Sequence, residues 1–197
     1  MAEERRALSA IHEFTFSSGE FDLEQTLDSG QCFRWQRLAA NEYWGVVSNC
    51  ALHLWQEEHR LRVRHWGGAA PVNFADFGCH YFDLSSDYQH ILQRLRRDKL
   101  FAQLASQRAG LRILRQEPFE TLISFIISAN NHIPRIRSII ERVCKHYGLS
   151  INTPLGEAYS FPSPEALASA RLEDLRLKCG LGYRDAYVQS VARAIAA

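Results

Sequence analysis

Ser124-Phe125-Ile126-Ile127-Ser128-Ala129-Asn130-Asn131-His132-Ile133-Pro134-Arg135 decides the fold of this chain. An apolar run dense enough for a buried helix stops in two asparagines. Pro134 then suits the first turn of a second helix, and Arg135 stands one step inside it. Two readings of the junction are open. Asn130 ends one helix while Asn131 or His132 caps the next, or the amides and the guanidinium face a base edge or a phosphate. Asn130 follows the apolar helix without a break, so its backbone is rigidly held.

Outward from this stretch the pattern stays helical. Pro118 opens the helix that ends near Ala129, and Ile136, Ile139, Ile140 and Val143 place one apolar face on the next, which ends near Gly148. Pro162 and Pro164 bracket a loop before a helix at 165–170, and short helices are expected at 173–178 and 185–196. Upstream, Asp83 to Asp87 offer several N-caps, and Ile91, Leu92, Leu95 and Leu100 recur at helical spacing. Leu104 and Leu111 to Leu114 carry more apolar residues, with basic residues between. Before Leu84 the chain reads instead as short strands at 15–21, 31–36, 43–47, 51–56 and 61–66, separated by turn residues, with a hairpin at Ser48-Asn49. The alternation of Leu61-Arg62-Val63-Arg64-His65-Trp66 gives the sheet one wet face. The expected fold class is α+β: a small antiparallel sheet domain over 1–84, then a helical bundle over 85–197.

Composition bounds the rest. With 46% apolar and 23% charged residues among 197, the chain has an ordinary globular make-up and enough length for a substantial core. The five cysteines are scattered without a Cys-x-x-Cys pair, which argues against a disulfide framework or a structural zinc and for a reducing compartment. Met1 to Leu8 carries mixed charges and no apolar core, so it does not read as a secretory signal, and no run approaches the ~20 residues that span a bilayer. Net charge is only +1, yet Arg94, Arg96, Arg97, Lys99, Arg108, Arg112 and Arg115 crowd one stretch against a lone Asp98. Arg135, Arg137, Arg142, Lys145 and His146 follow. Such a distribution is either a solvated face or the footprint of a polyanion.

Two further motifs bear on function. Gly180-Leu181-Gly182-Tyr183-Arg184 makes a tight turn between short helices, either a simple αα-turn or a backbone cradle for phosphate with an aromatic and a guanidinium at its edge. Ser29-Gly30-Gln31-Cys32-Phe33-Arg34-Trp35 sets a glycine before a strand, either as a turn residue or to let a carbonyl approach a ligand closely. Phe33 and Trp35 are expected to share the core face of that strand, with Arg34 on the other.

The order and spacing of the three motifs resemble those of the 8-oxoguanine DNA glycosylases of the helix-hairpin-helix superfamily, along nearly the whole chain. The resemblance implies that the Gly30 carbonyl meets the proton that oxidation adds at N7 of guanine. It implies that Asn130, Arg135 and Arg184 hold the orphaned cytosine, and that Tyr183 wedges into the base stack while the lesion is flipped out. It also implies base-excision chemistry with β-elimination at the abasic site, carried by a lysine and an aspartate that lie beyond Ala197. Lys99, Lys145 and Lys178 follow no hairpin of the required kind. The expected partner is double-stranded DNA containing oxidised guanine, met by a monomer without cofactor, metal or membrane, in a nucleus, cytosol or nucleoid. A non-catalytic duplex- or lesion-binding module is the alternative.

Overall fold

The computed structural model describes residues 11–67 and 74–197. The mixed-charge N-terminal segment and most of the Gly67–Pro71 connection lie outside the described residues. The fold is α+β. Five antiparallel strands, β1 (His12–Thr15), β2 (Trp35–Ala39), β3 (Glu42–Val47), β4 (Cys50–Glu57) and β5 (Arg60–Trp66), form one sheet in the order β1-β5-β4-β3-β2. The three hairpins are tight, and each turns through a residue in the left-handed region: Asn41, Ser48 and Glu58. The pair Val47 with Cys50 closes around Ser48-Asn49, where the sequence places the turn.

One sheet face supplies Tyr43, Leu52, Leu54, Leu61 and Val63 to a core shared with α1 (Leu23–Leu27) and α2 (Phe74–Tyr81). Trp35 lies deep in it and its indole N–H donates to the Tyr81 hydroxyl at 3.0 Å. After α2 follow α3 (Tyr88–Leu95) and α4 (Lys99–Gln107), capped by the carboxylates of Asp87 and Asp98. The second core belongs to α5 (Pro118–Ser128), α6 (Ile133–Tyr147), α7 (Pro164–Ser169), α8 (Leu172–Leu177) and α9 (Asp185–Ala196). The apolar face predicted for α6 is its anchor: Ile136, Ile139, Ile140 and Val143 are all buried. No described helix is long and apolar enough to cross a membrane.

Several segments differ from the expectation, each for a local reason. The strand expected at 15–21 stops at Thr15, because Ser17 and Glu20 close a turn on each other and Asp22 then caps α1. The strand expected at 31–36 begins only at Trp35. Gln31 is diverted into a staple: its amide nitrogen donates to the carbonyls of Thr26 and Arg112, and its amide oxygen accepts from the Leu114 N–H. Phe33 leaves the sheet and packs on the helical core. Arg34 is not solvated, since its guanidinium donates to the Tyr159 carbonyl and sits 3.9 Å from Glu120. Residues 111–117 are extended, not helical, with Arg112 and Leu114 facing inward. A hairpin of β6 (Ser150–Thr153) and β7 (Gly156–Tyr159), too short to show a period, lays Ile151 against Val46 and Ala51 on the sheet's second face. That face is therefore only partly wet.

Candidate nucleic-acid interface

The apolar run of α5 buries Phe119, Ile123, Ser124 and Ile127, so the end of this helix is fixed by the core beneath it. Pro118 occupies the first turn and Glu117 caps it by accepting from the Glu120 N–H at 2.8 Å. At the far end Asn130 sits at φ +48°, a left-handed conformation that asparagine tolerates better than most residues. The two asparagines divide the work. Asn131 is structural: its amide nitrogen donates to the Ile127 carbonyl at 3.1 Å, and its oxygen accepts from the His132 N–H at 3.0 Å. Asn130 is exposed, and its side-chain amide has no hydrogen-bond partner among the described residues. His132 is the N-cap of α6 by position, but its ring makes no capping bond. Arg135 is exposed in the first turn of this 15-residue helix, beside amides that have no intrahelical acceptor. The combination favours an anion there.

The glycine turn comes to the same place. After α8 the chain folds back, with the Leu181 N–H donating to the Leu175 carbonyl at 3.1 Å. Gly180 at φ +78° and Gly182 at φ +59° hold backbone shapes that a side chain would strain. A single 3₁₀ turn, Gly182–Arg184, leads into α9. Tyr183 is exposed. Arg184 is not: it is buried to 5% of its surface and its guanidinium lies over the Tyr183 ring, 4.4 Å from the centroid. Its Nε and Nη2 both donate to the Ala129 carbonyl, and Nη2 also donates to the Asn130 carbonyl at 3.1 Å. The arginine thus stitches the end of α5 to the start of α9 and still presents the Nη1 edge of its fork. Asp185 beneath it is held by Arg176, Nε to Oδ2 at 2.7 Å.

The structure therefore brings Asn130, Tyr183 and Arg184 into one cluster, with Arg135 on the adjoining helix. No hydrogen bond joins Gly30 to that cluster among the described residues. It lies just past α1 at φ +83°, exposed, with open space where a Cβ would stand. The chain on both sides of it is pinned, by Ser29 to the Thr26 carbonyl and by the Gln31 staple, while its own carbonyl is free of backbone partners.

The basic stretch divides: Arg94, Arg96, Arg97, Lys99 and Arg108 are exposed, whereas two of its members are tied into the fold, as is Arg142 beyond it. Arg112 is buried, donating to the carbonyls of Glu20, Asp83 and Ser86 and lying over the Tyr88 ring. Arg115 pairs with Asp83 at 2.9 Å, and Arg142 is bound to the Cys179 carbonyl and the Ser138 hydroxyl. These three cations hold the protein together. Sequence spacing alone did not separate them from Arg135, because the contacts that absorb them are long-range. Three of the thiols are quenched by burial, which pushes Cys32 and Cys144 up to about 12 and Cys179 to about 11, so each of these stays protonated at neutral pH.

Residues 13–122 match the family model for the 8-oxoguanine DNA glycosylase N-terminal domain, and residues 123–196 match that of the HhH-GPD superfamily of base excision DNA repair proteins. The N-glycosylase/DNA lyase of Saccharomyces cerevisiae is 34% identical over 195 residues, which cover 90% of this chain and 50% of the yeast protein. The N-glycosylase/DNA lyase OGG1 of Arabidopsis thaliana is 31% identical, over 90% of this chain and 49% of its own length. The chain thus spans about half the length of these two relatives. Among solved structures, MBOgg1 in complex with a low-affinity DNA ligand superposes with a TM-score of 0.86 at 32% identity, covering 95% of this chain and 63% of that one. The 8-oxoguanine glycosylase/lyase of Clostridium acetobutylicum, bound to duplex DNA with cytosine opposite 8-oxoguanine, superposes with a TM-score of 0.83 at 31% identity over 95% of this chain and 65% of that one.

Proposed function

The chain belongs to the 8-oxoguanine DNA glycosylase family, and from that premise we propose that it serves base-excision repair by recognising 8-oxoguanine opposite cytosine in duplex DNA. The whole protein, in this reading, removes the base and cleaves the strand at the resulting abasic site by β-elimination, acting as a monomer inside the cell. The observation that carries the reading is the cluster itself. A buried guanidinium with one edge to spare, an amide without a hydrogen-bond partner among the described residues and an exposed aromatic ring stand on a rigid helix junction.

Each part then has a physical task. Extruding a base unstacks its neighbours and leaves its partner without hydrogen bonds. Tyr183 fills the gap by stacking. Cytosine presents two acceptors, N3 and O2, and one amino donor on its pairing edge. Arg184 and Arg135 supply donors, and Asn130 supplies a donor and an acceptor. The Gly30 carbonyl accepts the N7–H of the oxidised base, a proton that guanine lacks. The amide-rich start of α6 neutralises a backbone phosphate. None of the three lysines is proposed as the nucleophile. Lys178 is tied to Asp174 at 3.0 Å, Lys99 opens α4, and Lys145 closes α6 at the end far from Arg135.

Gly30→Ala tests the lesion-reading part. At φ +83° an alanine costs about 1–2 kcal/mol of backbone strain, yet its methyl meets nothing within 4 Å, so the fold survives. Affinity for undamaged duplex should stay within about twofold of the parent while the preference for 8-oxoguanine over guanine falls by about tenfold, because the methyl fills the open space beside the backbone there and keeps the base from the carbonyl, at the loss of one hydrogen bond. An unchanged preference would retire Gly30 as the reader.

A further inference from the structure

We infer that Arg142, on the face of α6 turned towards the glycine turn, is a positioning residue for opposite-base reading; the inference rests on the function proposed above. Its Nε donates to the Cys179 carbonyl at 2.9 Å and its Nη1 to the Ser138 hydroxyl at 2.7 Å. Nη2 lies where a side chain at residue 180 would go, 2.5 Å from the position of a Cβ on Gly180. The guanidinium thus holds the first carbonyl of the turn while its tip occupies the space that only a glycine leaves.

The consequence is a closed ring of three fastenings. Arg184 ties the glycine turn to the end of α5, and Asn131 ties the end of α5 to the start of α6. Arg142 ties α6 back to the turn, which completes the circuit. Asn130, Arg135, Tyr183 and Arg184 each project from this circuit. Without Arg142 the turn is left to α8, α9 and the Arg184 stitch to α5, and Arg184 must hold its own element in place as well as the base. A guanidinium suits the task because its planar fork serves a carbonyl and a hydroxyl at once, whereas an ammonium is a point charge without that geometry. Gly180 follows as the partner of Arg142, its missing side chain required by the guanidinium as well as by φ.

The test uses the 197-residue chain and its affinities for duplexes holding 8-oxoguanine opposite cytosine or adenine. Arg142→Ala should reduce the preference for cytosine about fivefold, the size of effect that residues act through when they touch no ligand themselves. Arg142→Lys should not restore it. Gly180→Ala should behave as Arg142→Ala does, and should cost less in the Arg142→Ala background, where the guanidinium it displaces is gone. Equal losses on both duplexes, full rescue by lysine, or additive single effects would overturn the inference. Amide hydrogen exchange in the free protein judges the fastening independently of DNA. Arg142→Ala should speed exchange at 179–184 and leave the buried face of α6 protected, and unchanged exchange there overturns the inference. A parent protein with no preference for cytosine refutes the assignment of Arg184 instead, and only exchange then decides for Arg142.

Discussion

Arg184→Ala is expected to cost the fold about 3 kcal/mol, and to cost 8-oxoguanine:cytosine duplex about 1–3 kcal/mol more binding energy than 8-oxoguanine:adenine duplex. The first figure follows from burial. Arg184 keeps 5% of its surface exposed, and truncation strands the carbonyls of Ala129 and Asn130, which share its hydrogen bonds. It also removes the cation above the Tyr183 ring. The second figure follows from the free edge of the fork, to which the proposed function gives the partner base. Urea denaturation gives the first, and competition binding on the two duplexes gives the second. Asn130→Ala separates the two effects, because that side chain is exposed and makes no hydrogen bond to the protein among the described residues. It should cost the fold only the strain of an alanine at φ +48°, about 1 kcal/mol, and still weaken the cytosine duplex selectively. Equal losses on both duplexes for either variant would sink the assignment.

The second large effect is structural. Arg112→Ala should destabilise the protein by about 3–5 kcal/mol, since it removes a buried cation that three backbone carbonyls and one aromatic face enclose. Arg112 is 3% exposed, and its Nε donates to Glu20 at 2.7 Å while Nη1 donates to Asp83 and Ser86 at 2.9 and 3.1 Å. Those carbonyls belong to two separate segments, the turn before α1 and the turn before α3, so the residue joins the first core to the strand-like stretch leading into α5. Arg112→Lys should recover little, as one ammonium cannot reach both sides of that enclosure. The unfolding midpoint of the two variants reads the effect; a loss under about 1 kcal/mol would mean that the segments are held by Leu114 and the Gln31 staple instead.

Where local signals and tertiary contacts agree, the structure was legible from the residues. Helix α6 follows from Pro134 and the spacing of Ile136, Ile139, Ile140 and Val143, and the β3–β4 hairpin follows from Ser48-Asn49 between apolar strands. Both depend on interactions a few residues apart. Segment 31–34 shows the opposite. Its strand-like composition is overridden by Gln31, whose partners at Arg112 and Leu114 are more than 80 residues away. The same holds at the candidate site. Asn130, Tyr183, Arg184 and Arg135 stood out as polar or aromatic residues at rigid junctions. That Arg184 is buried, and that Arg142 rather than Arg137 fastens the turn, depends on carbonyls 37 to 55 residues distant. No spacing rule reaches that far.

The most direct measurement is the affinity of the 197-residue chain for four otherwise identical duplexes, 8-oxoguanine:cytosine, guanine:cytosine, 8-oxoguanine:adenine and guanine:adenine, at two salt concentrations. The account predicts tightest binding to 8-oxoguanine:cytosine, with lesion and partner base each contributing. All four affinities should weaken as salt rises, because phosphate contacts are screened in each. Four equal affinities that fall together with salt would contradict it, leaving a chain that holds duplex DNA without reading it.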